Sequence, residues 1–215
     1  MTEGGGLGTT KRDVRVMAVD DGPFKFGDSE TFVVGLVVRG SSYLEAAYMG
    51  LVEVDGTNVT EVIEGLVDVS KQGDQLKAMF LDGLTFAGFN VVDIDALHEA
   101  TGIPVITVVD KTPNGEEILT ALKANFKDWE RRWKLLSAPS VHRFELPDGA
   151  ALTCHLAGIE EAEARELIKV TTLRGHLPEP LRMADLIASA LPEVAKMMGA
   201  MEDAKKKPYR SRRAS

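Results

Sequence analysis

Phe80-Leu-Asp-Gly-Leu-Thr-Phe-Ala-Gly-Phe-Asn-Val-Val-Asp-Ile-Asp95 is the stretch from which the rest of the chain can be ordered. The apolar run Leu76 to Leu81 reads as a strand that ends at Asp82. Gly83 and Gly88 let the backbone turn sharply, and the apolar period then becomes helical from about Val91 to Ala100, with Asn90 as the cap and Asp93 at the third position. A carboxylate at the carboxyl end of a buried strand is where α/β sheets place their chemistry, so Asp82 is a candidate working residue. Asp-Gly is also a common turn pair, which leaves a purely structural role open.

Upstream, Val14 to Val19, Phe32 to Val38 and Ala47 to Val54 read as three strands joined by links short enough for an antiparallel meander. A helix follows, with Val59, Val62, Ile63, Leu66 and Val69 at helical spacing, Asn58 at the cap and Glu61 three residues on. Downstream, Thr101-Gly102 leads to strand Ile103 to Val109. Helices are expected over Glu116 to Asn125 and Lys127 to Leu136, then strands Val141 to Leu146 and Ala151 to His155. A helix near Glu160 to Lys169 and a last one from Glu179 to Met201, bent at Pro192, complete the chain. Helix-linked strands lie parallel, so the order predicts an α/β, ribonuclease H-like mixed five-stranded sheet flanked by helices: three antiparallel strands, then parallel ones. Asp20 and Asp82 would then end adjacent parallel strands on the same side.

Two further acids join them. Glu61 lies in the first turn of the helix that feeds the Asp82 strand. Asp185 shares a helix face with Leu181, Ala184 and Ala188, whose alanines permit close approach to the sheet. Gathering such charges is costly without cations, because two unit charges 4 Å apart repel by roughly 4 kcal/mol at an effective dielectric of 20. All-oxygen ligands favour Mg²⁺ or Mn²⁺, and a pair of such ions suits phosphodiester hydrolysis. Each acid has a plainer alternative: Asp20 as the start of a turn, Glu61 as half of a capping box, Asp185 as a solvated helix acid.

Composition sets the bounds. At 215 residues, 44% hydrophobic and 27% charged, the chain suits one domain with a sizeable core, without an apolar run of membrane-spanning length. The Gly-rich start lacks a secretory signal, so the cytoplasm is the expected compartment. One cysteine, Cys154, excludes an internal disulfide and a multi-thiolate metal site. His98, His142, His155 and His176 form no ligand spacing. The net charge is −8, yet six of the 25 basic residues fall within 205–213. We divide the chain into a flexible 1–12, a single ribonuclease H-like domain over 13–204 and a basic tail over 205–215. Phe126, Trp129, Trp133 and Leu136 make a helical stripe read as core packing, with Arg131, Arg132 and Lys134 off it.

The segments Phe80 to Ile94, Thr101-Gly-Ile-Pro-Val-Ile106 and Val19-Asp-Asp-Gly-Pro-Phe24 resemble the archaeal endonuclease dU family, which is related to endonuclease V. Leu177-Pro-Glu-Pro-Leu-Arg-Met-Ala-Asp-Leu-Ile-Ala-Ser189 resembles the carboxyl-terminal motif of endonuclease V, and the 21-residue step from Glu61 to Asp82 is the one expected there. Two features of that relative are missing. Its Pro-Tyr-x-Pro wedge is replaced by Val54-Asp-Gly-Thr-Asn-Val59, and Gly88 and Phe89 stand near where a histidine is expected. The resemblance implies a metal-dependent endonuclease acting in DNA repair on DNA with deaminated bases, deoxyuridine above all. It implies Asp20, Glu61, Asp82 and Asp185 as metal-binding catalytic acids. Asp21, Lys111 and Arg182 are candidate substrate contacts. The alternative is a non-catalytic nucleic-acid-binding module of the same fold, its affinity supplied by the basic tail.

Overall fold

The computed structural model describes residues 13–109, 114–145 and 151–206, with side chains through residue 197. Its centre is β1 (Arg15–Asp21), where Val16 to Asp20 are all buried. So continuous a run demands cover on both faces. β1 pairs antiparallel with β2 (Glu30–Arg39), which pairs antiparallel with β3 (Tyr43–Glu53). After α1 (Val59–Asp68) and a 3₁₀ turn at Gly73–Gln75, β4 (Leu76–Leu81) returns parallel to β1. A small hairpin, β5 (Thr85–Phe86) and β6 (Asn90–Val91), precedes α2 (Ile94–Thr101) and the parallel strand β7 (Val105–Val109).

The remaining elements are α3 (Gly115–Asn125), α4 (Trp129–Ser137), β8 (His142–Glu145), β9 (Ala151–Ala157), α5 (Glu161–Thr171) and α6 (Glu179–Lys206). β9 and β8 extend the sheet antiparallel beyond β7, so the order is β3-β2-β1-β4-β7-β9-β8. The expected five strands are its first five, and the two late short strands make it seven. α6 continues unbroken through Pro192 to Lys206, beyond the expected Met201 and into the first two residues assigned to the tail. Lys111 and residues 207–215 lie outside the described residues.

The sheet divides the core in two. Met17 and Val19 of β1, with Met79 and Leu81 of β4, pack beneath α1 and α2. Val16 and Ala18, with Ala78 and Phe80, pack beneath α5 and α6, where Ala184 and Ala188 are fully buried. These two small residues let α6 lie close over the strands. A Cβ on Gly22, at the end of β1, would come within 2.9 Å of the Ala188 carbonyl oxygen.

Two caps differ from expectation. Asp93, not Asn90, caps α2, its Oδ1 accepting the Ala96 N–H at 3.0 Å. Asn90 is fully buried in the hairpin. Its Oδ1 accepts the Val59 N–H while its Nδ2 donates to Glu53 O and to Asn58 Oδ1. The hairpin therefore satisfies the first turn of α1, and Asn58 makes no side-chain cap of its own. Two-residue strands carry no readable period, which hid this arrangement from sequence.

The aromatic stripe also reads differently. The buried residue of α4 is Arg132, while Trp129 and Trp133 are half-buried. Its guanidinium donates to Phe89 O at 2.6 Å, to Gly56 O at 2.8 Å and to both Asp128 oxygens, and it stacks 4.4 Å from the Phe126 ring centroid. The same pairing holds Asp128 below the usual carboxylate range. Arg132→Ala strands two inward-facing carbonyls, so a stability loss of about 2–4 kcal/mol is expected. A denaturant melt checks this, and Arg132→Lys should rescue little, since an ammonium lacks the planar fork.

Candidate active site

The two faces of the sheet sort the acids. By alternation along β1, Asp20 continues the Val16–Ala18 face toward α6, and Asp21 turns to the opposite layer. Asp82, directly after β4, extends the Ala78–Phe80 face. Asp185 borders the Leu181–Ala184–Ala188 stripe by which α6 sits on that same face. Three carboxylates thus lie near the carboxyl ends of β1 and β4, close enough for their charges to act on one another.

Their electrostatics register this proximity. Burial pushes Asp20 up to about 8, with the charges of Asp82, Asp21 and Asp185 adding to the rise and a hydrogen bond from the Asp21 N–H at 2.8 Å opposing it. Asp82 is raised by desolvation and then by Asp185. Burial and like charges acting together at the ends of central strands make these acids candidates for a working site.

Glu61 is not among the charges that raise Asp20 or Asp82. The buried residues of α1 include Val59 and Ile63, and Glu61 stands two positions from each, about 200° around the helix. It is exposed and lines a cavity of about 170 Å³ with Thr57, Thr60, Asp93, Asp128 and Arg131, on the other layer. The other candidates are engaged elsewhere. Asp21, raised to about 6 chiefly by burial, accepts the Ala87 N–H at 2.9 Å, and Arg182 pairs with the buried Glu179. His98, His142 and His155 contact Ile103 O, Glu161 and Thr107 separately. Burial raises the Cys154 thiol to about 12, which leaves it a small hydrophobe.

The donor set fits a hard divalent cation by chemistry and charge: carboxylate oxygens only, mutually repelling, one of them buried. In their present placements, no three His, Cys, Asp or Glu side chains among the described residues stand as ligands around one ion.

Opposite the acids stands the 85–91 hairpin, whose turn is strained. Ala87 has φ 45° and Gly88 φ 88°, while Asp55, facing them, has φ 55°. The turn is tied from two sides. Asp21 Oδ2 holds the Ala87 N–H; the Asp55 N–H donates to Ala87 O at 2.8 Å, and Asp55 Oδ1 accepts the Phe89 N–H at 2.8 Å. Left-handed non-glycine residues persist only where their surroundings over-determine them, often beside functional sites. Asp55 carried no sequence signal beyond another Asp-Gly pair.

The sequence profile of the family described as Endonuclease dU matches residues 12–192. Among curated relatives, a UPF0215 protein of Methanothermobacter thermautotrophicus is 43% identical over 183 residues, covering 84% of this chain and 89% of that protein. One from Methanopyrus kandleri is 39% identical over 186 residues, covering 86% and 94%. A crystal structure of a protein of unknown function from Archaeoglobus fulgidus superposes with a TM-score of 0.73 at 34% identity, covering 83% of this chain and 98% of that one. Endonuclease V of Ciona intestinalis, in complex with a 24mer DNA containing an inosine followed by a ribo-adenosine, gives a TM-score of 0.58 at 14% identity, with 88% and 89% covered. Argonaute of Marinitoga piezophila gives 0.50 at 12% identity over 83% of this chain and 30% of that one. At such identities the last two speak for a common fold, which is ribonuclease H-like. Among the described residues no helix is long and apolar enough to cross a membrane.

Proposed function

The chain belongs to the Endonuclease dU family, and we propose on that footing that it is a metal-dependent endodeoxyribonuclease that cuts DNA beside a deaminated base, deoxyuridine first, in DNA repair. What supports this reading is that Asp20 and Asp82 end two central parallel strands and that the charges of Asp82 and Asp185 act on Asp20 there. The fold shared with an endonuclease V solved on inosine-containing DNA supports nucleic acid as the substrate class.

Asp20, Asp82 and Asp185 would hold Mg²⁺ or Mn²⁺. Bound there, such an ion supplies Lewis-acid stabilisation of phosphoryl oxygens and an activated water. The chain's own work is to bring three anions to one place and hold them there. Asp20 is fixed by β1 and by the Asp21 N–H, Asp82 by the end of β4, and Asp185 by the close seating of α6. Asp20, whose carboxyl burial keeps protonated near neutral pH, would have to give up that proton to serve as a ligand. We give Glu61 no ligand role in this arrangement, since its helix face turns away.

The test is incubation with Mg²⁺ or Mn²⁺ and duplexes carrying one deoxyuridine, one deoxyinosine or no lesion. A single cut near deoxyuridine is expected. Salt-sensitive binding without cleavage, at any protein excess, ends the enzymatic reading and leaves a nucleic-acid-binding module.

A further inference from the structure

The loop between β1 and β2, residues 22–29, leaves directly from the acid cluster and presents two aromatic rings. Phe26 is fully exposed, at 110% relative accessibility, and Phe24 is 38% exposed. A single apolar side chain in solvent is ordinary. Here the loop is built to keep it there. Its base is clamped by Gly22 N–H to Phe32 O at 2.8 Å and by the Thr31 hydroxyl to Gly22 O at 3.0 Å, with Gly22 close under Ala188 of α6. Its return leg is tied to the end of β3 by Val54 N–H to Ser29 O at 3.0 Å.

At the tip, the Lys25 N–H donates to Asp28 Oδ2 at 2.7 Å and the Asp28 N–H to Lys25 O at 3.0 Å. The left-handed Gly27 (φ 95°) completes a turn that carries Phe26 outward. Phe24 leans toward Gly88, so the loop that starts beside Asp20 reaches the strained hairpin. Six residues span at most about 20 Å, which keeps Phe26 within about six base steps of anything bound at Asp20.

We propose that Phe26 stacks on a nucleobase of the strand held at Asp20, Asp82 and Asp185, and so sets the position of the cut strand. The inference rests on the nuclease reading. An exposed ring offers its face to any base, which suits a positioning contact rather than a base-reading one.

The test is equilibrium binding, in EDTA, of duplex DNA carrying one deoxyuridine to the wild type, Phe26→Ala and Phe26→Trp, each over a range of salt, with cleavage by the wild type measured in parallel. Phe26→Ala should weaken binding about 5- to 150-fold without changing the slope of log affinity against log salt. Phe26→Trp should keep its affinity, and its emission above the Trp129 and Trp133 background should be quenched by DNA. Because the side chain touches little of the protein, the melting curves should coincide. If the wild type cuts while Phe26→Ala binds as tightly, or loses affinity through a lowered salt slope, the stacking role is overturned and the nuclease stands. If the wild type neither binds nor cuts, both fall.

Discussion

Asp82→Asn should reduce cutting of a deoxyuridine duplex by at least about a thousandfold, since a charge contact to a catalytic cation is worth several kcal/mol and each 1.36 kcal/mol is tenfold in rate. The fold should not suffer. Asp82 is exposed at a strand end, and its ionisation is opposed by desolvation and by Asp185, so the neutral amide removes a repulsion. Thermal melting without divalent ions should therefore show an equal or higher midpoint. An inactive variant that also melts well below the wild type would make Asp82 a turn residue, as Asp-Gly pairs often are. A soluble, equally stable variant that still cuts would remove the proposed metal centre.

The second large effect is on the pH dependence of stability. Asp20 holds its proton up to about pH 8 in the folded chain, against about 3.9 when unfolded. Between those values the unfolded chain binds fewer protons, so stability falls as pH rises, by at most about 1.4 kcal/mol per unit. Asp21, raised to about 6, acts in the same direction at lower pH. His155 acts oppositely: burial lowers it, so folding gains stability as pH rises toward 6.5. The clearest window is therefore pH 6.5 to 8, where Asp20 should cost about 2 kcal/mol, or a drop of about 4–8 °C in Tm for a chain of this size. Asp20→Asn should flatten that fall. Millimolar Mg²⁺ should also flatten it if the three acids hold an ion, because the cation replaces the repelling proton equilibrium. A midpoint that rises from pH 6.5 to 8 in EDTA would contradict the burial of Asp20.

The parts of this protein that could be read from sequence are those set by local periodicity. The apolar runs before Asp82 and Asp20 placed two carboxylates at like ends of parallel strands, and the small residues around Asp185 pointed to close seating of α6. These depend on strand ends and helix spacing, which a sequence displays. What stayed hidden depends on partners far along the chain. Arg132 is buried because Gly56 and Phe89 turn carbonyls toward it, and Asn90 is buried because α1 needs a donor's mate. Glu61 is an intermediate case. Its spacing from Asp82 suggested a shared site, while its offset from Val59 and Ile63 already placed it on the far side of its helix. The offset is geometry and the spacing only analogy.

Asp20 and Asp21 are adjacent on one strand yet serve opposite layers, one among the acids and one at the Ala87 N–H. Which of them does which is a matter of parity. Sliding β1 by a single residue against β4 would exchange their assignments and invert every apolar contact along the strand. The β1–β4 ladder already contains one such irregularity, between Arg15 and Val16. There β4 leaves Lys77 out of step, and from Val16 to Val19 the pairing runs evenly with Ala78 to Leu81, so that short even stretch is what keeps each of the two neighbouring acids on its own side.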